Sequence, residues 1–145
     1  MAGSKKDFVQ MNSELISVSA RATHEGTKPF PEIVGMLLEA GVEYYHVDYA
    51  GMQTRFYGAN GDQVCCPILF EGLPPIAPEL DVAEVKAAIF DSQRNGQKHR
   101  EFTRRAMAAG VQGYYSFLRG KRVSYFGRQG DQHTEWFPGA EPQGT

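Results

Sequence analysis

A stretch of 24 residues occurs twice in this 145-residue chain. Residues 40–63 read AGVEYYHVDYAGMQTRFYGANGDQ, and residues 109–132 read AGVQGYYSFLRGKRVSYFGRQGDQ. The two align without a gap at a constant offset of 69, with nine positions identical. The identities are the Ala-Gly-Val opening, one Tyr, two further Gly and the closing Gly-Asp-Gln. Phe56-Tyr57 is answered by Tyr125-Phe126, an aromatic pair in swapped order. Glycines at turns and aromatics in a core are what two copies of one backbone plan must share. The repeat therefore constrains the fold before it says anything about a reaction.

The local signals fit the same plan on both sides. Asn12 or Ser13 can cap a first helix running towards Ala22. Pro31-Glu32 then reads as the entry of a second helix, because proline is tolerated in a first helical turn. Ile33, Val34, Leu37 and Leu38 give that helix one apolar stripe, and Gly41 supplies a left-handed end. Strands are predicted at Glu43–Tyr49, Met52–Tyr57 and Asp62–Phe70, with Asn60-Gly61 read as a type I′ turn. In the second half Asp81-Val82-Ala83-Glu84 forms a capping box for a helix ending near Asn95-Gly96. A helix over Arg100–Ala108 follows, then strands at Gln112–Leu118, Lys121–Phe126 and Asp131–Phe137. The proline-rich segment Leu73–Pro78 joins the halves.

Each half is thus helix, helix, three-strand meander, over about residues 13–72 and 81–138, with flexible ends at 1–11 and 139–145. A meander with one helix pair is marginal alone. The expectation is a single α+β domain built on an internal duplication, with antiparallel sheet covered by helices. One continuous six-stranded sheet and two packed meanders both satisfy the pattern.

Composition excludes several classes. No apolar run approaches the ~20 residues of a membrane span, and Met1–Gln10 lacks the apolar region of a signal peptide. The only cysteines, Cys65 and Cys66, are adjacent and cannot staple distant parts, which suits a reducing cytoplasm. Net charge is −2, but it is uneven: residues 1–80 carry 5 Lys/Arg against 10 Asp/Glu, and residues 81–145 carry 10 against 7. Two mutually attracting halves account for this, as would an anion-binding patch on the second half. The basic residues Arg94, Lys98, Arg100, Arg104 and Arg105 read as a solvated face partly paired with Glu101 and Asp91. With an acidic balance overall, nucleic acid is not the expected partner.

P-loop, GxSxG, HExxH and CxxC motifs are all missing from the sequence. What remains are polar residues where the repeats differ. His46 and Asp48 share one face of a predicted strand, opposite Tyr45, Val47 and Tyr49; their counterparts are Tyr115 and Phe117. His133 and Glu135 repeat the His-x-acid spacing on the last strand. If the pairs converge, they offer two imidazoles and two carboxylates for a divalent metal or for acid–base work. If they do not, each belongs to an exposed strand face. His24-Glu25-Gly26-Thr27 is placed in the loop between the first two helices, either as a functional loop or as a capped turn.

HEGTKPFPEIVGMLLEAGVEYYHVDY (24–49) and AAGVQGYYSFLRGKRVSYFGRQGDQHTEWFP (108–138) together resemble the YbcV-like group of bacterial proteins, a domain of unknown function. Some members carry the label "phage envelope protein". The resemblance runs from about Glu14 to Pro138 and rests on HxGT…FPE…AGVExYxxD and YxGRxGDxHxExFP. It implies that His24, Glu25, Tyr45, His46, Asp48, Arg128, Asp131, His133 and Glu135 are the family-like polar residues. It brings no activity, substrate or cofactor.

The combined expectation is a small non-catalytic binding or interaction module. Its candidate cluster is His24, Glu25, His46, Asp48, Arg128, His133 and Glu135. The alternative is a small enzyme or metal-binding protein using His46, Asp48, His133 and Glu135. No cofactor and no metal site are assigned. The expected partners are a small ligand or a protein, with a homodimer as one option and no membrane.

Overall fold

A computed structural model describes residues 10–142. Of the ends expected to fray, residues 1–9 and 143–145 lie outside the described residues, and Met11 already packs on the core. The first half runs α1 (Ser13–Glu25), α2 (Phe30–Glu39), β1 (Val42–Asp48), β2 (Gln53–Gly58) and β3 (Gln63–Pro67). The second half runs α3 (Val82–Arg94), α4 (His99–Ala108), β4 (Val111–Phe117), β5 (Arg122–Gly127) and β6 (Gln132–Trp136). Every element of the first half has a counterpart of equal length at the same offset of 69. This is the α+β architecture that the paired sequence signals predict.

The local chemistry repeats with the spans. Asn12 Oδ1 accepts from the Leu15 N–H at 3.0 Å and Asp81 Oδ1 from the Glu84 N–H at 3.2 Å, so both leading helices start on a side-chain cap. Two strand ends differ from expectation. The third strand stops at Pro67, not Phe70: proline has no N–H for the ladder, and only Ile68 adds a further bond, to the Met52 carbonyl. The Asn60-Gly61 turn is not type I′. Gly61 alone takes positive φ (90°), in a three-residue loop closed by the Gly58 N–H on the Asp62 carbonyl, and Gly130 (91°) does the same in the second half. At the tighter β1–β2 and β4–β5 turns the left-handed residue is no glycine: it is Met52 (53°) and Lys121 (58°).

All six strands form one antiparallel sheet in the order β3-β2-β1-β4-β5-β6, which settles the choice between one array and two meanders. The halves join through β1 and β4. Their central rung pairs His46 with Tyr115, two residues that are themselves repeat counterparts, so an approximate twofold axis passes through that rung. The four helices cover one face of the sheet. Ile16, Leu37, Val85 and Ala106 face inward from them, onto Val47, Val111 and a strand layer of aromatics. The pair Tyr45–Phe56 (5.3 Å between ring centres) has its counterpart in Tyr114–Tyr125 (5.2 Å). A few ties cross between halves, among them Arg119 Nη1 to Glu43 Oε2 at 3.1 Å. Arg104 pairs with Glu101 and Arg105 with Asp91, as the solvated-face reading of the basic set requires. No described helix is long and apolar enough to cross a membrane.

Candidate functional site

The two His-x-acid pairs do not converge. His46 and Asp48 lie on the open face of β1, because Tyr45, Val47 and Tyr49 take the buried parity. His133 pairs with Tyr125 and Glu135 with Val123, which places both on the helix-covered face of β6. The sheet itself lies between the pairs, and β1 and β6 are three ladder steps apart, roughly 14 Å. One metal ion cannot join ligands so separated. Among the described residues no three His, Cys, Asp or Glu side chains are grouped to hold a metal.

Each candidate instead has a local occupation. The Asp48 carboxylate accepts from the Gly51 N–H at 3.0 Å and so closes the β1–β2 turn. The His46 ring stacks on Tyr115, with centres 4.3 Å apart and planes 12° apart. Its pKa is lowered by partial burial, against the pull of Asp48 and with a small push from Arg55. His133 Nε2 and Glu135 Oε1 meet at 2.6 Å and satisfy each other on the edge strand. Arg128 Nη1 donates to the Ile76 carbonyl at 3.1 Å, and its neighbour Gln129 to Pro78 at 3.0 Å, so this turn fastens the linker between halves.

His24 and Glu25 are not in a loop. The helix α1 runs through them and ends on Gly26, where a double cap (Gly26 N–H to Thr23 O, Thr27 N–H to Ala22 O) satisfies its last carbonyls. Glu25 is exposed there. His24 turns towards the core side and stacks on Phe70 at 4.3 Å. Phe70 also lies 6.1 Å from the ring of His99, the first residue of α4.

Beneath these three rings is a cavity of about 80 Å³ between α1, α4 and the sheet. Ile33, Leu37, Val47 and Phe56 make its apolar wall; Tyr45, Tyr49, Tyr114 and Cys66 reach it from the strands. Neither carboxylate nor Lys nor Arg lines it. The hydroxyls of Ser19, Thr23 and Thr103 also line it, each donating back to its own helix at 2.9–3.0 Å, so they present lone pairs to the cavity. Tyr49 is 2% exposed, and its buried hydroxyl lies beside Thr103 and Tyr114, which act on the phenol as hydrogen-bond partners do although neither closes a short bond. A buried polar group without a well-formed bond costs ~1–3 kcal/mol. Burial drives the phenol pKa of Tyr49 well up, so it stays a neutral donor. Burial and the nearby His24 bring His99 down to about 4, so its imidazole is uncharged at neutral pH.

Sequence reading named His24 but missed His99, Tyr49 and Thr103. The signal was in the repeat, outside the stretch that aligns best. At the offset of 69, His99 answers Phe30, Thr103 answers Val34, and Tyr49 answers Leu118. Those counterparts are apolar: Leu118 is as buried as Tyr49 (2% each), and Phe30, 42% exposed, packs edge-on against Phe137 at 5.3 Å. The two copies of the plan thus differ in polarity at these three positions. Compared with protein-family models and with curated proteins, the chain matches none.

Proposed function

We propose that the protein is a non-catalytic binding module of the YbcV-like kind whose ligand enters the cavity under His24, Phe70 and His99. The observation that carries this reading is a cavity of about 80 Å³ with the Ser19, Thr23, Thr103 and Tyr49 side chains in its lining and no carboxylate, Lys or Arg among them. The size limits the guest. An apolar cavity of about 150 Å³ takes benzene, so this one suits a short molecule of about four heavy atoms, or the tip of a longer one. The lining selects its chemistry. Neutral hydroxyls, the uncharged His99 imidazole and an aliphatic wall favour an uncharged ligand with a polar atom for the hydroxyls and a small apolar body. A charged ligand would leave water without meeting an opposite charge.

The enzyme and metal alternative required His46, Asp48, His133 and Glu135 to share a site. Their separation by the sheet takes away its geometric support.

The test is ligand-observed and methyl NMR with 2-propanol, acetone and acetamide as probes, with sodium acetate as the charged control. Saturating shifts in the Ile33 and Leu37 methyls for the neutral probes, weakened at least tenfold by Tyr49→Phe, support the reading. Methyls that do not respond to any neutral probe, or that respond equally in the Tyr49→Phe protein, refute it.

A further inference from the structure

The face of the sheet away from the helices has no covering element among the described residues. Solvated faces of antiparallel sheets are ordinarily polar. Here an aromatic stripe crosses the strands at right angles. Tyr57, Tyr44, Phe117, Arg122 and Trp136 occupy neighbouring rungs from β2 to β6. Tyr44 and Tyr57 stack at 4.7 Å, Tyr44 meets Phe117 at 5.9 Å, and the Arg122 guanidinium lies 4.4 Å over the Trp136 ring. Tyr115 extends the stripe to the central rung, 5.9 Å from Phe117.

We infer that this open face is a docking surface for a second copy of the same chain, the two sheets packing face to face through the aromatic stripe. Three observations select that occupant. The first is ring orientation. The planes of Tyr44 and Tyr57 differ by 15°, those of Tyr115 and Phe117 by 8°, and those of His46 and Tyr115 by 12°. The rings spend their faces on one another and turn edges outward. A base or a sugar needs an open ring face to stack on, whereas the flat side of another sheet needs only edges and methylenes. The second is self-complementarity. A twofold axis parallel to the strands lays the stripe on its own reversed copy, so Tyr44 falls opposite Phe117, an edge-to-edge aromatic contact, and Tyr57 falls opposite the aliphatic stem of Arg122. The third is area. Six strands at ~4.8 Å by three rungs at ~6.8 Å give a face of roughly 600 Å², and two such faces bury about 1,200 Å², which reaches the range of stable interfaces. The charges do not oppose it: Asp48, Arg55 and Arg122 leave each face nearly balanced.

Sedimentation of the full chain from low to high micromolar concentration tests the inference. A monomer–dimer equilibrium is expected, with the dissociation constant raised at least tenfold by Tyr44→Arg and by Phe117→Arg but not by Phe117→Tyr. Far-UV circular dichroism and the melting midpoint show that the variants fold. Should they not, radical footprinting of the wild-type protein replaces them: Tyr44, Tyr57 and Trp136 are expected to gain protection as concentration rises. A monomer throughout the range overturns the proposal, as does a dimer indifferent to both arginine variants or a footprint that does not change. Salt-sensitive binding of labelled single-stranded DNA or RNA by a monomer, lost in the same variants, overturns it in favour of a nucleic-acid surface.

Discussion

Replacing His99 by phenylalanine, the residue at its counterpart position Phe30, tests how the cavity rim is held. In the folded protein the His99 imidazole resists protonation until about pH 4, against 6.5 when free, because burial removes it from water and His24 stands near. The unfolded chain binds that proton from pH 6.5 downward. Unfolding is therefore favoured progressively as pH falls through the window between the two values. The stability tied to neutral His99 is complete above pH 6.5. Each pKa unit is worth about 1.4 kcal/mol, so the loss reaches about 2 kcal/mol at pH 5 and about 3 kcal/mol by pH 4. His46, whose pKa is also lowered, adds a loss of the same sign, which is why the comparison must be with a variant and not with wild type alone. Urea unfolding of both proteins at pH 7.5, 6 and 5 gives the answer. Wild type should lose about 2 kcal/mol more than His99→Phe between the ends of that range. Parallel pH curves, or an NMR titration of His99 with a midpoint near its free value, would refute the reasoning.

Three further outcomes follow from the same packing. Gly110→Ala should cost about 3–5 kcal/mol by chemical denaturation: φ is +95°, and a Cβ there would stand 2.1 Å from the Glu79 carbonyl oxygen. Lys121→Gly should stabilise by about 0.5–1 kcal/mol in the same assay, because an exposed lysine now holds a left-handed conformation at φ 58°. Tyr49→Phe should change stability by no more than about 1 kcal/mol in either direction, since no short bond to Thr103 or Tyr114 holds the hydroxyl; a loss above ~1 kcal/mol would mean that it is firmly bonded.

The backbone plan was legible because its signals are local. Caps at Asn12 and Asp81, the terminal glycines at Gly41 and Gly110, and alternation in β1 and β4 act within a few residues. The end of α1 was misplaced because the double cap on Gly26 extends a helix past where its apolar stripe fades. The candidate site was less legible, for a different reason. In Gln132–Trp136 both parities carry polar residues, so periodicity puts His133 and Glu135 on one face without saying which. Pairing with Tyr125 and Val123 decides it. His99 sits among lysines and arginines in sequence and reads as surface. Its surroundings come from α1 and from Phe70, neither of which is its neighbour in the chain.

The rung on the twofold axis carries a consequence of its own. Two separate, identical half-chains pairing in this way would have to set the residue at position 46 against itself, as His on His or Tyr on Tyr. A continuous chain escapes that restriction and places unlike rings there, His46 on Tyr115 at 4.3 Å. The same freedom sets Tyr49 in one half where the other has Leu118, and His99 where the other has Phe30. Covalent linkage thus does more than raise the local concentration of two halves: it permits a nearly symmetric scaffold to carry unlike chemistry at matching positions.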